Sequence, residues 1–146
     1  MPDNYRALNL GSGYRKREGE VNLDMALTTK PDVCGDAQYL PFKDNCFDAI
    51  TANHVFEHID NIVKAVNECW RVLKDGGIIQ VVVPIFPEKR SIADPTHRRF
   101  FILDSFLYFE DSMKLTGLRY GFKRVELGPI TDGDFTDIRW IGRKDA

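Results

Sequence analysis

The side chains able to do chemistry fall at a few separated places in this chain. Asn9-Leu10-Gly11-Ser12-Gly13 closes a short apolar run, and small residues at the carboxyl end of a buried strand let a ligand lie against the backbone. The same glycines also make an ordinary tight turn, so they gain meaning only from their company. Asp24 supplies some of it, because an acid closing the second apolar run can accept both hydrogen bonds of a ribose diol. Asp36, in Gly35-Asp36-Ala37, either accepts from an adenine amino group or closes an Asx turn. The three histidines, His54, His58 and His97, are the groups whose intrinsic pKa lies near neutrality. His97 stands in Asp94-Pro95-Thr96-His97-Arg98-Arg99, where it reads as a base or an orienting group, with Arg98 or Arg99 to pair an anionic acceptor. The competing reading is a solvated loop with Asp94 as an internal ion-pair partner.

Spacing narrows the ligand. A dinucleotide site wants a third glycine, here Lys16, a helix N-terminus for the pyrophosphate, and an acid about 20 residues after the glycines. Residues 14–20 are too few for a standard crossover helix, and no G-K-[ST] phosphate cradle exists. NAD and ATP therefore give way to a nucleoside cofactor without phosphates, such as S-adenosylmethionine.

Short branched runs alternating with turn signals must position these residues, and that alternation marks an α/β chain with a largely parallel, buried sheet. The expected strands are Tyr5–Leu10, Glu20–Asp24, Asp32–Gly35, Phe47–Asn53 and Ile78–Pro84. A helix begins at Asp60 as N-cap, carries Ile62, Val66, Cys69, Trp70 and Leu73 at helical spacing, and ends at Asp75-Gly76-Gly77. A long loop, Ile85–Arg99, precedes a second helix around Leu103–Leu115. Two antiparallel strands, near Gly121–Leu127 and Phe135–Ile141, follow, separated by Gly128-Pro129 and Asp132-Gly133. Phe100, Phe101, Phe106, Tyr108 and Phe109 could close over an acceptor, but at this spacing they read mostly as core.

At 146 residues the chain suits one domain, residues 1–146, with the cofactor half at about 1–84 and an acceptor-side loop, helix and strands at about 85–146. A net charge of −2 with dispersed Lys and Arg gives no footprint for general nucleic-acid binding. The three cysteines lack any C-x-x-C pair, so neither a disulfide framework nor a zinc site is expected, and a reducing, cytoplasmic setting fits. The start shows no signal peptide and no stretch approaches a membrane span. The C-terminal edge offers a route to a homodimer.

Taken in order, LNLGSG, VNLD, GDAQYLPFKDNCFDAI, FEHI and RVLKDGGIIQVVVP resemble the motifs of small class I, type 11 S-adenosylmethionine-dependent methyltransferases, over about Ala7 to Pro84. The resemblance implies a single Rossmann-like methyltransferase domain with a shortened first crossover. It implies that Gly11, Ser12 and Gly13 pass under the cofactor, Asp24 holds its ribose, Asp36 and Ala37 flank adenine, and Asn53 and His54 line the methionine end. Asn9 stands where the family commonly has Asp or Glu, which leaves a hydrogen-bonding group without negative charge. Tyr14, Arg15 and Lys16 read as surface residues that either leave that end open or cover it.

Methyl transfer by in-line displacement needs orientation and exclusion of water but no metal or covalent intermediate. His97 is the first candidate base for a small-molecule acceptor methylated at oxygen or nitrogen, with His54 second; His58 suits a structural hydrogen bond. Two rivals stand beside this reading, a non-catalytic module that keeps the fold for protein interaction and an NAD-dependent oxidoreductase.

Overall fold

The computed structural model describes residues 4–145, so the ends of the expected 1–146 domain, residues 1–3 and 146, lie outside the described residues. Its strands are β1 (Ala7–Leu10), β2 (Val21–Asp24), β3 (Val33–Cys34), β4 (Phe47–Asn53), β5 (Leu73–Pro84), β6 (Lys123–Asp132) and β7 (Phe135–Arg143). They form a seven-stranded sheet of order β3-β2-β1-β4-β5-β7-β6. β1 to β5 pair in parallel, and β7 runs antiparallel between β5 and the edge strand β6. This is a Rossmann-like α/β sheet with an antiparallel edge pair, the fold class the sequence led one to expect. The order reverses between β1 and β4, and their carboxyl ends open the crevice in which such sheets hold ligands.

Register gives the sheet two unlike faces. Leu8, Ile50 and Ile79 are neighbours on one face, followed by Leu10, Ala52, Val81 and Trp140, and then by Val83 and Ile138. All of these belong to one buried cluster that also contains Ala65, Val66, Cys69 and Val72 of helix α1 (Ile62–Val72). Asn22, Asn9, Thr51 and Gln80 form a polar row across the other face. Among the described residues no crossover helix covers that row, because the connections between β1 and β4 hold only turns and a short 3-10 segment, Leu27–Thr29. Residues 11–20 are such a turn-built connection, as their number requires.

Several expectations shift. The N-cap of α1 is Asn61, whose side chain accepts from the Lys64 N–H at 3.0 Å, whereas Asp60 points outward to Arg98. The helix stops at Val72 because Leu73 is already extended (φ −71°, ψ 139°), so Asp75-Gly76-Gly77 lies inside β5. The segment expected as a second long helix is a 3-10 helix, Leu103–Phe109, followed by another, Asp111–Met113. Leu103, Phe106 and Phe109 recur every third residue, which keeps one face inward only at three residues per turn. Phe101, Phe106 and Phe109 are buried, whereas Phe100 and Tyr108 are exposed. Gly128-Pro129 sits within β6, where proline is tolerated because the strand is at the edge, and of the two expected turn signals Asp132-Gly133 makes the hairpin turn, with Gly133 at φ +61°. The loop after β5 contains a short helix, α2 (Lys89–Ala93). Among the described residues no helix is long and apolar enough to cross a membrane.

Candidate functional site

A cavity of about 1030 Å3 opens at the β1/β4 switch point. Three loops wall it, those following β1, β4 and β5, and the start of β7 contributes Asp137 because β7 runs antiparallel to β5. The turn after β1 is specified by close approach: Gly11 has φ +65°, and a Cβ there would lie 2.3 Å from Val55 Cγ2. Gly13 (φ +50°) has open space where a side chain would stand. Its N–H donates to Asp24 Oδ2 at 2.8 Å, and Ala26 N–H donates to Oδ1 at 2.8 Å. Asp24 is thus fixed in orientation while each oxygen keeps acceptor capacity. Ser12 Oγ is buried in the cavity wall without a hydrogen-bond partner among the described residues.

Asn9 has a second task. Its amide nitrogen donates to Arg15 O at 3.0 Å and to Asn22 Oδ1 at 2.9 Å, which ties the helix-free connection to β2. Both donors are committed to acceptors, so the orientation of the amide follows from the network and its oxygen is the remaining polar atom. Asn22 in turn donates to Asp32 at 2.7 Å, and these bonds, with Lys16 at 2.9 Å, hold the Asp32 carboxyl down to about 2. Tyr14, Arg15 and Lys16 are exposed, as expected, and with Arg17 they also line the cavity mouth.

On the β4 side, His54 takes a left-handed backbone (φ +55°), and its side chain sits between two acids and a guanidinium. Its Nε2 lies 3.3 Å from Asp137 and 3.2 Å from Arg90, while Nδ1 lies 3.5 Å from Glu57. Arg90 binds both oxygens of Asp137 at 2.7 and 2.9 Å. His97 Nδ1 is 2.8 Å from Ser91 O; a carbonyl only accepts, so Nδ1 carries the hydrogen and the neutral ring presents its lone pair at Nε2. Asp94 Oδ2 stands 3.6 Å from that nitrogen. Hydrogen bonds from the Thr96 hydroxyl, and then from its N–H, hold the Asp94 carboxyl below its ordinary value.

The cavity therefore brings together Asn9, Gly11, Ser12, Gly13, Asn53, His54, Asp94 and His97. Asp24, Asp36 and Ala37 are not among its lining residues. Asp36 accepts from Gln38 N–H at 2.8 Å in an Asx turn, and Ala37 is buried. The two arginines expected to meet an anionic acceptor are engaged elsewhere. Arg98 forms an exposed pair with Asp60 at 2.9 Å. Arg99 donates to the carbonyls of Phe56, Ile59 and Asp60, clamping the turn into α1, and burial pushes its guanidinium below its ordinary value. Sequence reasoning missed Glu57, Arg90 and Asp137. The buried acid in Phe56-Glu57-His58 was visible only as part of a motif, and Arg90 and Asp137 meet through tertiary pairing that no local pattern announces.

Residues 14–81 match the family described as Methyltransferase domain, a span that starts just after the glycine turn. A demethylmenaquinone methyltransferase from Staphylococcus haemolyticus is 30% identical over 122 residues, covering 69% of this chain and 51% of the relative. The ubiquinone/menaquinone biosynthesis C-methyltransferase UbiE of Ruegeria is 46% identical over 50 residues, 34% of this chain and 20% of the relative. A SAM-dependent methyltransferase from Archaeoglobus fulgidus superposes with a TM-score of 0.74 at 18% identity, covering 97% of this chain and 87% of that one, which establishes the shared fold. Fold and family match together place the chain in the S-adenosylmethionine-dependent methyltransferase family. Its matches to these two curated relatives span from about a fifth to about half of their length. The residues present fit the cofactor the family uses. Gly13 leaves open the space a Cβ would fill, Ser12 Oγ is buried without a partner among the described residues, and Asn9 lines the same cavity with an amide oxygen able to accept.

Proposed function

We propose that this chain transfers a methyl group from S-adenosylmethionine to a small-molecule acceptor, at oxygen or nitrogen. The observation that carries the reading is the cavity at the switch point, whose β1 side offers bare backbone and an unpartnered hydroxyl and whose opposite side offers imidazoles and carboxylates. Its volume is at the upper end of ordinary ligand pockets, enough for a cofactor and a small acceptor together. When bound, the cofactor supplies a methyl already activated by its sulfonium, so the chain's residues need only orient the acceptor, exclude water and take a proton. Gly11, Ser12, Gly13 and Asn9 would hold the methionine and ribose portions, with Asp24 at the ribose diol and Asp36 and Ala37 toward adenine. His97 is the group assigned to the acceptor's proton, through Nε2, with Asp94 beside it to stabilise the charged ring. His54 stands second, since its ring nitrogens already face Asp137, Arg90 and Glu57.

The names of the quinone-pathway relatives support a small acceptor. One of them is named for methylation at carbon; oxygen or nitrogen is preferred here because the acceptor wall is rich in groups that accept protons. A cytoplasmic setting and a homodimer through β6 remain part of the proposal. The test is calorimetric titration with S-adenosylmethionine and S-adenosylhomocysteine, with NAD as control and Asp24→Ala beside the wild type. Binding of the first two that weakens in the variant supports the reading. No binding at millimolar ligand replaces it with a non-catalytic interaction module, and NAD binding replaces it with an oxidoreductase.

A further inference from the structure

One wall of the cavity has more ligand capacity than methyl transfer requires. Glu57, His58 and His97 each bring a metal-ligating atom within 4.8 Å of the others. Glu57 and His58 come from the 3-10 turn Phe56–His58 after β4 and His97 from the loop after β5, so the set spans the crevice. Glu57 is 1% exposed, yet its Oε2 has no hydrogen-bond partner among the described residues. The other two acidic residues buried as whole side chains are paired: Arg90 binds both oxygens of Asp137, and Arg124 with Trp140 satisfies both oxygens of Glu110. Glu20 Oε2 also lacks a hydrogen bond, but its side chain is 24% exposed and Arg17 stands 3.8 Å away. A bare carboxylate oxygen in a buried position is costly unless something cationic or protic occupies it.

The two imidazoles are arranged to match. His97 donates Nδ1–H to Ser91 O, which leaves Nε2 as its lone-pair nitrogen. For His58 the proton can be traced through Thr96. The Thr96 hydroxyl donates its single hydrogen to Asp94 at 2.7 Å, so its oxygen can only accept from His58 Nδ1 at 3.1 Å. His58 Nε2 is then also a lone-pair nitrogen. A histidine that donates one ring N–H to a carbonyl or hydroxyl and presents the other nitrogen bare has the tautomer and orientation of a metal ligand.

We propose that Glu57, His58 and His97 hold one divalent first-row cation, zinc by the chemistry of the donors, through a carboxylate oxygen and two imidazole Nε2 atoms. Ligand atoms about 2.0–2.1 Å from a tetrahedral zinc lie about 3.4 Å apart, so side-chain rotation closes the set around the ion. Two histidines and a glutamate leave a fourth position, and it faces the cavity. Cation and proton compete for His97 Nε2. The binding itself stands apart from the proposed methyl transfer; only its consequence rests on that reading. The consequence is that an acceptor hydroxyl in the fourth position loses its proton to solvent at neutral pH instead of to His97.

Calorimetric titration of the full chain with zinc sulfate, without cofactor, tests the site, with Glu57→Gln, His97→Ala and Cys34→Ser run in parallel. The expected result is one ion per chain, bound roughly tenfold or more weakly in the first two variants and unchanged in the third. Zinc should also raise the thermal midpoint of the wild type, and a chelator should reverse it. The proposal is overturned by the absence of saturable binding up to millimolar zinc, or by equal affinity in the wild type and Glu57→Gln. Zinc binding can fail while S-adenosylmethionine still binds, or the reverse, so the two readings fall separately.

Discussion

Asn9→Asp gives the family its customary acid at the end of β1, and the structure predicts that this harms the protein. The Asn9 amide donates two hydrogen bonds, to Arg15 O at 3.0 Å and Asn22 Oδ1 at 2.9 Å, and the residue is only 5% exposed. An ionised carboxylate has no hydrogen to give, so Arg15 O loses its donor, Asn22 Oδ1 keeps only the Arg17 N–H, and both oxygens face a negative charge. Leaving one such polar group unsatisfied costs about 1–3 kcal/mol, and that is the loss expected at pH 7. A domain of this size loses roughly 2–4 °C of melting temperature per kcal/mol, well within reach of urea denaturation or a calorimetric scan. The pH dependence carries the sign. Facing two acceptors raises the folded-state pKa of the introduced carboxyl above its unfolded value of about 3.9. The deficit relative to wild type is therefore complete above the folded pKa and shrinks as pH falls through it, where the protonated acid regains one donor. A variant as stable as wild type at pH 7, or a deficit that grows on acidification, would refute the role assigned to Asn9.

Gly11→Ala combines a left-handed backbone with a Cβ 2.3 Å from Val55 Cγ2, so a loss of about 2–5 kcal/mol is expected from the backbone and overpacking penalties together; adding Val55→Ala should recover the overpacking part in a double-mutant cycle. Native protein treated with iodoacetamide should be alkylated at exposed Cys34, while Cys69, whose thiol burial pushes up to about 12, should react only after unfolding; modification of Cys69 in the native state, read by peptide mass spectrometry, would contradict its packing. Asp32 is held from 3.8 down to about 2 by Asn22 first and then Lys16, so its contribution is present above 3.8 and lost as pH falls through about 2. Asp32→Asn should accordingly be the less stable protein at pH 7, with the difference fading between about pH 4 and pH 2 in parallel denaturation curves.

Much of the fold was legible because parallel strands write themselves as short branched runs. β4 matches its expected limits, and β1, β2 and β5 end where the apolar runs end. Those carboxyl ends are where the cavity-lining turns begin, which is why Gly11 and Gly13 from their spacing, and Asn53 and His54 from the family resemblance, were expected on that edge. What could not be read was anything set by tertiary contact. Arg99 looked like an acceptor-binding cation because a loop of Asp, His and Arg does not reveal that three carbonyls of the turn into α1 will take its guanidinium. Asp137 reached the site only because β7 inserts antiparallel beside β5, which brings the start of one strand to the end of the other. The 3-10 helix Leu103–Phe109 was misjudged for a more local reason, a period of three in Leu103, Phe106 and Phe109 taken for one of 3.6.

The polar row on the second sheet face explains why the shortened first crossover is workable and what it demands. A crossover helix would fix the turn after β1 by apolar packing, whereas residues 14–20 offer too little chain to bury a helical face. Hydrogen bonds replace that packing: Asn9 holds Arg15, Asn22 accepts from Arg17 N–H at 2.8 Å, Arg17 reaches Thr51 at 2.8 Å, and Asp32 closes the set through Asn22 and Lys16. The cofactor end is therefore ordered by directional polar contacts, while α1 and the C-terminal aromatics stabilise the opposite face by burial. Polar contacts of this kind respond to acid and, at the exposed Lys16–Asp32 pair, to salt, whereas the buried cluster does not. Acidification toward pH 2 should thus loosen the connection after β1 before it melts the core, with amide exchange rising in residues 14–20 while Val66, Cys69 and Val81 stay protected. Simultaneous loss of protection in both would show that the two faces are not held independently.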